Sequence, residues 1–113
     1  MAEPPPVRVA GEYVLATQAE EDIFTIWSYI AADNPNAAAK VEEAILAACD
    51  LVTGSPNIGR VRRDLTKLPL RFWTVTQFPS YMIVYSFDAS VVTIVGVFHG
   101  RRNVRRILRQ RLN

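Results

Sequence analysis

The chain has 113 residues, with 13 Lys and Arg, 11 Asp and Glu, and a formal net charge of +2. That length suits one domain, and a half-hydrophobic composition is too apolar for a disordered tail. The single Cys and single His exclude an internal disulfide framework and a multi-Cys zinc site.

No stretch approaches the roughly 18 consecutive apolar residues of a membrane helix. The start, MAEPPPVRVA, lacks the apolar run of a signal peptide. The expectation is a cytoplasmic protein with no membrane association. The charge is strongly polarised. Residues 1–57 hold Arg8 and Lys40 against nine acids, a net of −7, and residues 58–113 hold 11 basic residues against Asp64 and Asp88, a net of +9. A basic half attracts phosphate-bearing or acidic partners. The alternative is that the two halves neutralise each other in the fold.

Residues 1–11 read as a flexible Pro-rich arm and residues 12–113 as one domain. Residues 12–16 (EYVLA) predict a short edge strand. Thr17 and Glu20 have the spacing of a capping box. The helix that follows places Ala19, Ile23, Ile26, Trp27 and Ile30 on one face. Asp33-Asn34-Pro35-Asn36 breaks it, and Asn34 and Pro35 suit the start of a second helix. That helix runs to about Thr53, with Ala38, Val41, Ile45, Ala48 and Val52 inward and Leu46 outward among acids. Cys49 reads as a small hydrophobe. Gly54 and Pro56 stop the helix, and the short break favours an antiparallel helical hairpin.

A basic connector, 57–69, carries Arg60, Arg62, Arg63 and Lys67. Three strands follow, at about Leu70–Gln77, Tyr81–Phe87 and Val91–Phe98. Their short connections force an antiparallel meander. Both faces of these strands are apolar, so both need cover. The helical hairpin covers one, and the other is left for the C-terminal tail or a partner chain. The tail, RRNVRRILRQRLN, predicts a short basic amphipathic helix with Val104, Ile107, Leu108 and Leu112 on its stripe. The order is therefore β-α-α-β-β-β with a C-terminal basic helix, an α+β fold on a mainly antiparallel, twisted sheet.

His99 is the one side chain with an ordinary pKa near neutrality. It ends the last strand and precedes Gly100-Arg101-Arg102. Imidazole beside guanidinium is the chemistry of phosphodiester cleavage, which needs a base, an acid and cations. Arg71 at the start of the first meander strand, and Arg60, Arg62, Arg63 and Lys67 before it, could supply the cations beside Arg101 and Arg102. Equally, His99 could simply end a strand and bond to backbone. Tyr81 and Tyr85 could stack on a base, yet strand aromatics are more often core. No Gly-rich phosphate loop, HExxH or GxSxG is present. No cofactor or metal is implied.

The segments AEEDIFTIWSYIAADNPNAAAKVEEAI, GSPNIGRVRRDL, LRFWTVTQFPSYMIVYSF and VTIVGVFHGRRNVRRIL together resemble the RelE/ParE family of toxins from bacterial type II toxin–antitoxin modules. The resemblance spans about residues 12–108. It implies a helical hairpin on a twisted antiparallel sheet, and a cognate antitoxin with an acidic C-terminal segment forming a hetero-oligomer with the toxin. RelE-like members cleave mRNA on the ribosome, whereas ParE-like members poison DNA gyrase without nuclease activity. The HGRRN ending and IWSYI helix resemble the ParE branch. Only Arg71 is basic on the central strands, and no Tyr follows Tyr85, unlike the RelE-like nucleases.

The expectation is thus a gyrase-directed, non-enzymatic toxin. Its target-binding candidates are Arg60, Arg62, Arg63, Arg101, Arg102, Arg105 and Arg106. Trp73, Tyr81, Ile107 and Leu108 are the candidates for antitoxin contact. The alternatives are an endoribonuclease using His99, Arg71 and Arg101, and a non-toxic family member that acts only as a binding partner.

Overall fold

The computed structural model describes residues 8–10, 13–89 and 91–112. The elements run β1 (Arg8–Ala10), β2 (Tyr13–Leu15), α1 (Thr17–Ala31), α2 (Pro35–Gly54), β3 (Arg60–Val61), β4 (Arg71–Thr74), β5 (Tyr81–Asp88), β6 (Val91–His99) and α3 (Val104–Leu112). The strands form one sheet in the order β1-β2-β6-β5-β4-β3. All neighbours are antiparallel except β2 and β6, which run parallel. This is the expected α+β architecture.

Of the expected arm 1–11, Arg8–Ala10 pair with β2, and residues 1–7 and 11 lie outside the described residues. Tyr13–Leu15, expected at an edge, therefore lies between β1 and β6. Its Tyr13 and Leu15 side chains are buried.

The second helix starts as its sequence predicts. Asn34 Oδ1 accepts the Ala37 N–H at 3.0 Å, and Pro35 occupies the first turn. The first helix does not. Ala16 is its N-cap and makes no side-chain cap, so the capping box of Thr17 and Glu20 does not form. The reason is the strand before it. Ala16 N–H still bonds to the Ile94 carbonyl of β6 while its own carbonyl already receives the Glu20 N–H. The chain turns from strand to helix one residue earlier, and Thr17 falls inside the first turn.

The buried side of α1 is also rotated from the expected stripe. Ala19, Asp22 and Ile23 are buried and Trp27 is turned outward. The α2 stripe is buried as expected, joined by Ala44 and Cys49. Leu46, expected outward, packs partly against the core.

Residues of β5 and β6 alternate between two cores. Ile83, Tyr85, Ile94 and Val97 join the hairpin helices in the larger one. Phe72, Val84 and Phe98 meet Val104 and Leu108 of α3 in the smaller one. Both faces of the sheet are thus covered by the chain itself, and of the two covers expected for the second face it is the C-terminal tail, without a partner chain, that packs there. The tail achieves this because Val104 and Leu108 are one helical turn apart and stack on Phe98. Each such buried side chain contributes roughly 1.5–3 kcal/mol of transfer free energy, which offsets the poor intrinsic stability of a nine-residue helix.

Candidate functional site

The basic end of the molecule is assembled from three pieces: the connector after α2, the end of β6, and α3. The connector is held by a buried phenol. Tyr85 Oη donates to the Pro56 carbonyl at 2.6 Å and accepts the Gly59 N–H at 2.8 Å. Burial pushes the Tyr85 pKa above its ordinary value, against the smaller opposing effects of the Gly59 bond and nearby Arg71. A Cβ on Gly59 would meet Tyr85 Oη at 2.5 Å, so glycine is required there by close approach.

Arg71 completes the same clamp. Its Nη1 donates to the Gly59 carbonyl at 2.8 Å and the Asn57 carbonyl at 3.3 Å, and its guanidinium lies 5.8 Å from the Phe87 ring centre. Arg62 and Asp64 form a two-bond ion pair at 2.9 and 2.7 Å. That hydrogen bonding lowers the Asp64 pKa and raises the Arg62 pKa. Arg105 Nε donates to the Asp64 carbonyl at 3.0 Å, tying α3 to the connector.

Past β6, Gly100 N–H bonds to the Ser80 carbonyl at 2.7 Å, and Asn103 Oδ1 accepts the Arg106 N–H at 3.1 Å to cap α3. Arg101, Arg102, Arg106 and Arg109 are exposed and make no ion pair among the described residues. Arg60 and Arg63 are likewise exposed. Of the seven target-binding candidates, Arg62 and Arg105 are engaged in holding the connector, and the other five have no ion-pair partner among the described residues.

His99 faces a cavity of about 290 Å³ whose lining includes Asp22, Tyr29, Tyr81 and Arg102. The Tyr81 ring meets the imidazole edge-on at 5.2 Å between centres. The Arg101 backbone N–H donates to His99 Nδ1 at 3.0 Å. That backbone donor engages one of the two imidazole nitrogens. Arg71 does not join this site. It pairs with Tyr85, whereas His99 pairs with Tyr81. Four residues along β5 and two strands across place their backbones roughly 16 Å apart.

The four antitoxin candidates are divided by the sheet. Trp73 and Tyr81 pack on the hairpin side, and Ile107 and Leu108 on the α3 side. Leu108 is fully buried, and only a partner that displaces α3 would reach it. Trp73 is half-buried, and its Nε1–H has no hydrogen-bond partner among the described residues.

The largest exposed aromatics lie elsewhere, on α1. Phe24 is 65% exposed, Tyr29 82% and Trp27 37%. The Phe24 and Trp27 rings stack with centres 6.4 Å apart. Phe24 and Tyr29 are five residues apart and fall off the Ile23–Ile26–Ile30 stripe, which is the signal that marks them as outward-facing. Among the described residues no cluster of three metal-ligating side chains forms, and no helix is long and apolar enough to cross a membrane.

Residues 13–104 match the family model of the ParE toxin of type II toxin-antitoxin system, parDE. The chain belongs to the ParE toxin family. A solved chain of the chromosomal ParDE toxin–antitoxin system from P. aeruginosa has the same fold, with a TM-score of 0.64 and 17% identity. The match covers 78% of this chain and 94% of that one. No curated protein matches. In this ParE-family chain, the arginine-rich end and the stacked Phe24–Trp27 pair of α1 are the two surfaces that stand out chemically.

Proposed function

We propose that this chain is the toxin of a two-component module, that it inhibits DNA gyrase in the cytoplasm, and that a cognate antitoxin silences it in a hetero-oligomer. Family membership over residues 13–104 carries the reading. The exposed guanidinium groups of Arg60, Arg63, Arg101, Arg102 and Arg106, with no ion pair among the described residues, support it, since they attract an acidic or DNA-bearing target. The exposed, stacked Phe24 and Trp27 support an antitoxin contact, because adjacent exposed aromatics mark interaction surfaces.

The nuclease alternative draws less support. Arg71 is committed to the connector, and His99 Nδ1 is occupied by a backbone donor. A phosphodiester-cleaving centre needs its base and cations around one phosphate.

Induction of the chain alone should arrest growth with DNA breaks, and the purified protein should block gyrase supercoiling. Unimpaired supercoiling together with new mRNA ends would establish the nuclease reading instead. Harmless expression of the folded chain would leave only the binding-partner reading.

A further inference from the structure

Tyr85 and Arg71 stand directly opposite each other on β5 and β4, and residues paired in this way share a face of the sheet. Between them they satisfy the backbone at the start of the connector. Tyr85 Oη serves the Pro56 carbonyl and the Gly59 N–H, and Arg71 Nη1 serves the Asn57 and Gly59 carbonyls. Phe72 and Phe98 fill the opposite core as plain rings, whereas the buried Tyr85 carries a hydroxyl that the connector engages.

The residue that follows this clamp is Arg60. It is exposed and pairs with Phe72, which packs under α3. Arg60 therefore stands on the α3 side of the sheet, across from the face that holds Tyr85 and Arg71. Farther along, Arg63 borders the groove between the connector and α3, beside Arg105 and Arg109. Arg60, Arg63 and Arg109 form no ion pair among the described residues.

The connector's own strand, Arg60–Val61, has two residues, so its pairing alone does little to fix where these cations point. Its far end is tied to α3 through the Arg62–Asp64 pair and the bond from Arg105 Nε to the Asp64 carbonyl. Its near end is tied by Tyr85 and Arg71. Cations on a segment held at both ends lose less conformational freedom when they meet an anionic surface.

We propose that Tyr85 and Arg71 are positioning residues for target binding: from the hairpin side of the sheet they fix the connector whose Arg60 and Arg63 join Arg109 in one cationic surface on the α3 side. This role deepens the toxin reading and rests on it only for the identity of the target. Guanidinium groups without carboxylate partners suit a run of phosphates.

The test titrates the full-length protein with a short fluorescent DNA duplex, used as a polyanion probe, and assays gyrase supercoiling in parallel. Arg60→Gln with Arg63→Gln should weaken probe binding about ten-fold and lower its salt slope by about two, one for each lost phosphate contact. Tyr85→Phe keeps the buried ring and the net charge, and should weaken binding about three-fold or more. In the chain already carrying Arg60→Gln and Arg63→Gln, it should change binding less than about two-fold, because a positioning residue acts only through the groups it places. Gly59→Ala, whose Cβ would meet the Tyr85 hydroxyl at 2.5 Å, should reproduce the Tyr85→Phe loss in both backgrounds. Assays run well below the lowest melting temperature of the set, and if Tyr85→Phe fails to fold, the Gly59→Ala cycle decides. An equal fold-loss in both backgrounds, full binding by folded Tyr85→Phe, or no probe binding by the unaltered chain would overturn the proposal. Probe binding that follows the cycle without any inhibition of supercoiling would retain the positioning role and overturn the gyrase reading.

Discussion

Asp22 and Arg111, 89 residues apart, are joined by two hydrogen bonds of 2.6 and 2.8 Å around the open edge of β6. Strand β2 pairs with β6 only as far as Ile94. Beyond it, Asp22 Oδ2 accepts the Val97 N–H at 3.0 Å. One carboxylate therefore closes an unpaired strand edge and fastens the C-terminal helix to the first helix. The side-chain bond to Asp22 raises the Arg111 pKa, against a smaller lowering by burial.

Replacing Asp22 by Ala strands the Arg111 guanidinium and the Val97 N–H together. Loss of one partner from a largely buried pair costs about 3 kcal/mol or more. Urea denaturation should show that loss. The cycle of Asp22→Ala, Arg111→Met and the double variant should show a coupling above about 1 kcal/mol. Additive effects would mean that the pair does not hold α3 in place.

Gly96 lies beneath that clasp. A Cβ there would come within 2.6 Å of the Phe98 ring and 3.0 Å of Arg111 Nη1. Gly96→Ala should destabilise by about 1–3 kcal/mol, the range for overpacked sites. It should also loosen α3, read as faster amide exchange at Leu108.

Tyr85 governs the alkaline limit. Its folded pKa is raised, so the native state holds the phenol proton more tightly than the unfolded chain. That contribution is complete below the ordinary tyrosine pKa of about 10 and is lost as pH rises through the folded value. Melting temperature should fall on the alkaline side of that window. Tyr85→Phe should remove this component of the fall. At neutral pH it should cost about 1–3 kcal/mol, because the Gly59 N–H and Pro56 carbonyl lose their partner.

His99→Ala separates the toxin readings. Growth arrest and supercoiling inhibition should persist, because gyrase inhibition requires no base at the end of β6. Arg71→Ala should instead lower thermal stability, since it frees the connector carbonyls at Asn57 and Gly59. Loss of toxicity in folded His99→Ala, with mRNA ends disappearing in parallel, would favour cleavage.

Phe24→Ser should leave stability within about 0.5 kcal/mol, as the side chain is 65% exposed. Affinity for the antitoxin, measured by calorimetry, should drop at least ten-fold. An unchanged affinity would move the antitoxin contact away from α1.

The local rules legible in the sequence were those that depend on near neighbours. Asn34 and Pro35 start α2, its 38–41–45–48–52 stripe is buried, and short turns between Arg71 and His99 impose the meander. Strands apolar on both sides announced that both faces are covered. Which element provides the cover was not legible, because α3 gains its stability from Phe98 and the Asp22–Arg111 bonds rather than from its own propensity. The rotation of α1 has the same origin. An acid reads as outward-facing until a strand edge and a distant guanidinium satisfy it. Likewise, no local pattern fixes how far Arg71 lies from His99, and strand register sets them four residues apart along β5 and on opposite sides of it. Periodicity determines which side of an element is apolar, whereas partners distant in the chain decide which polar groups may be buried and which cations remain free for another molecule.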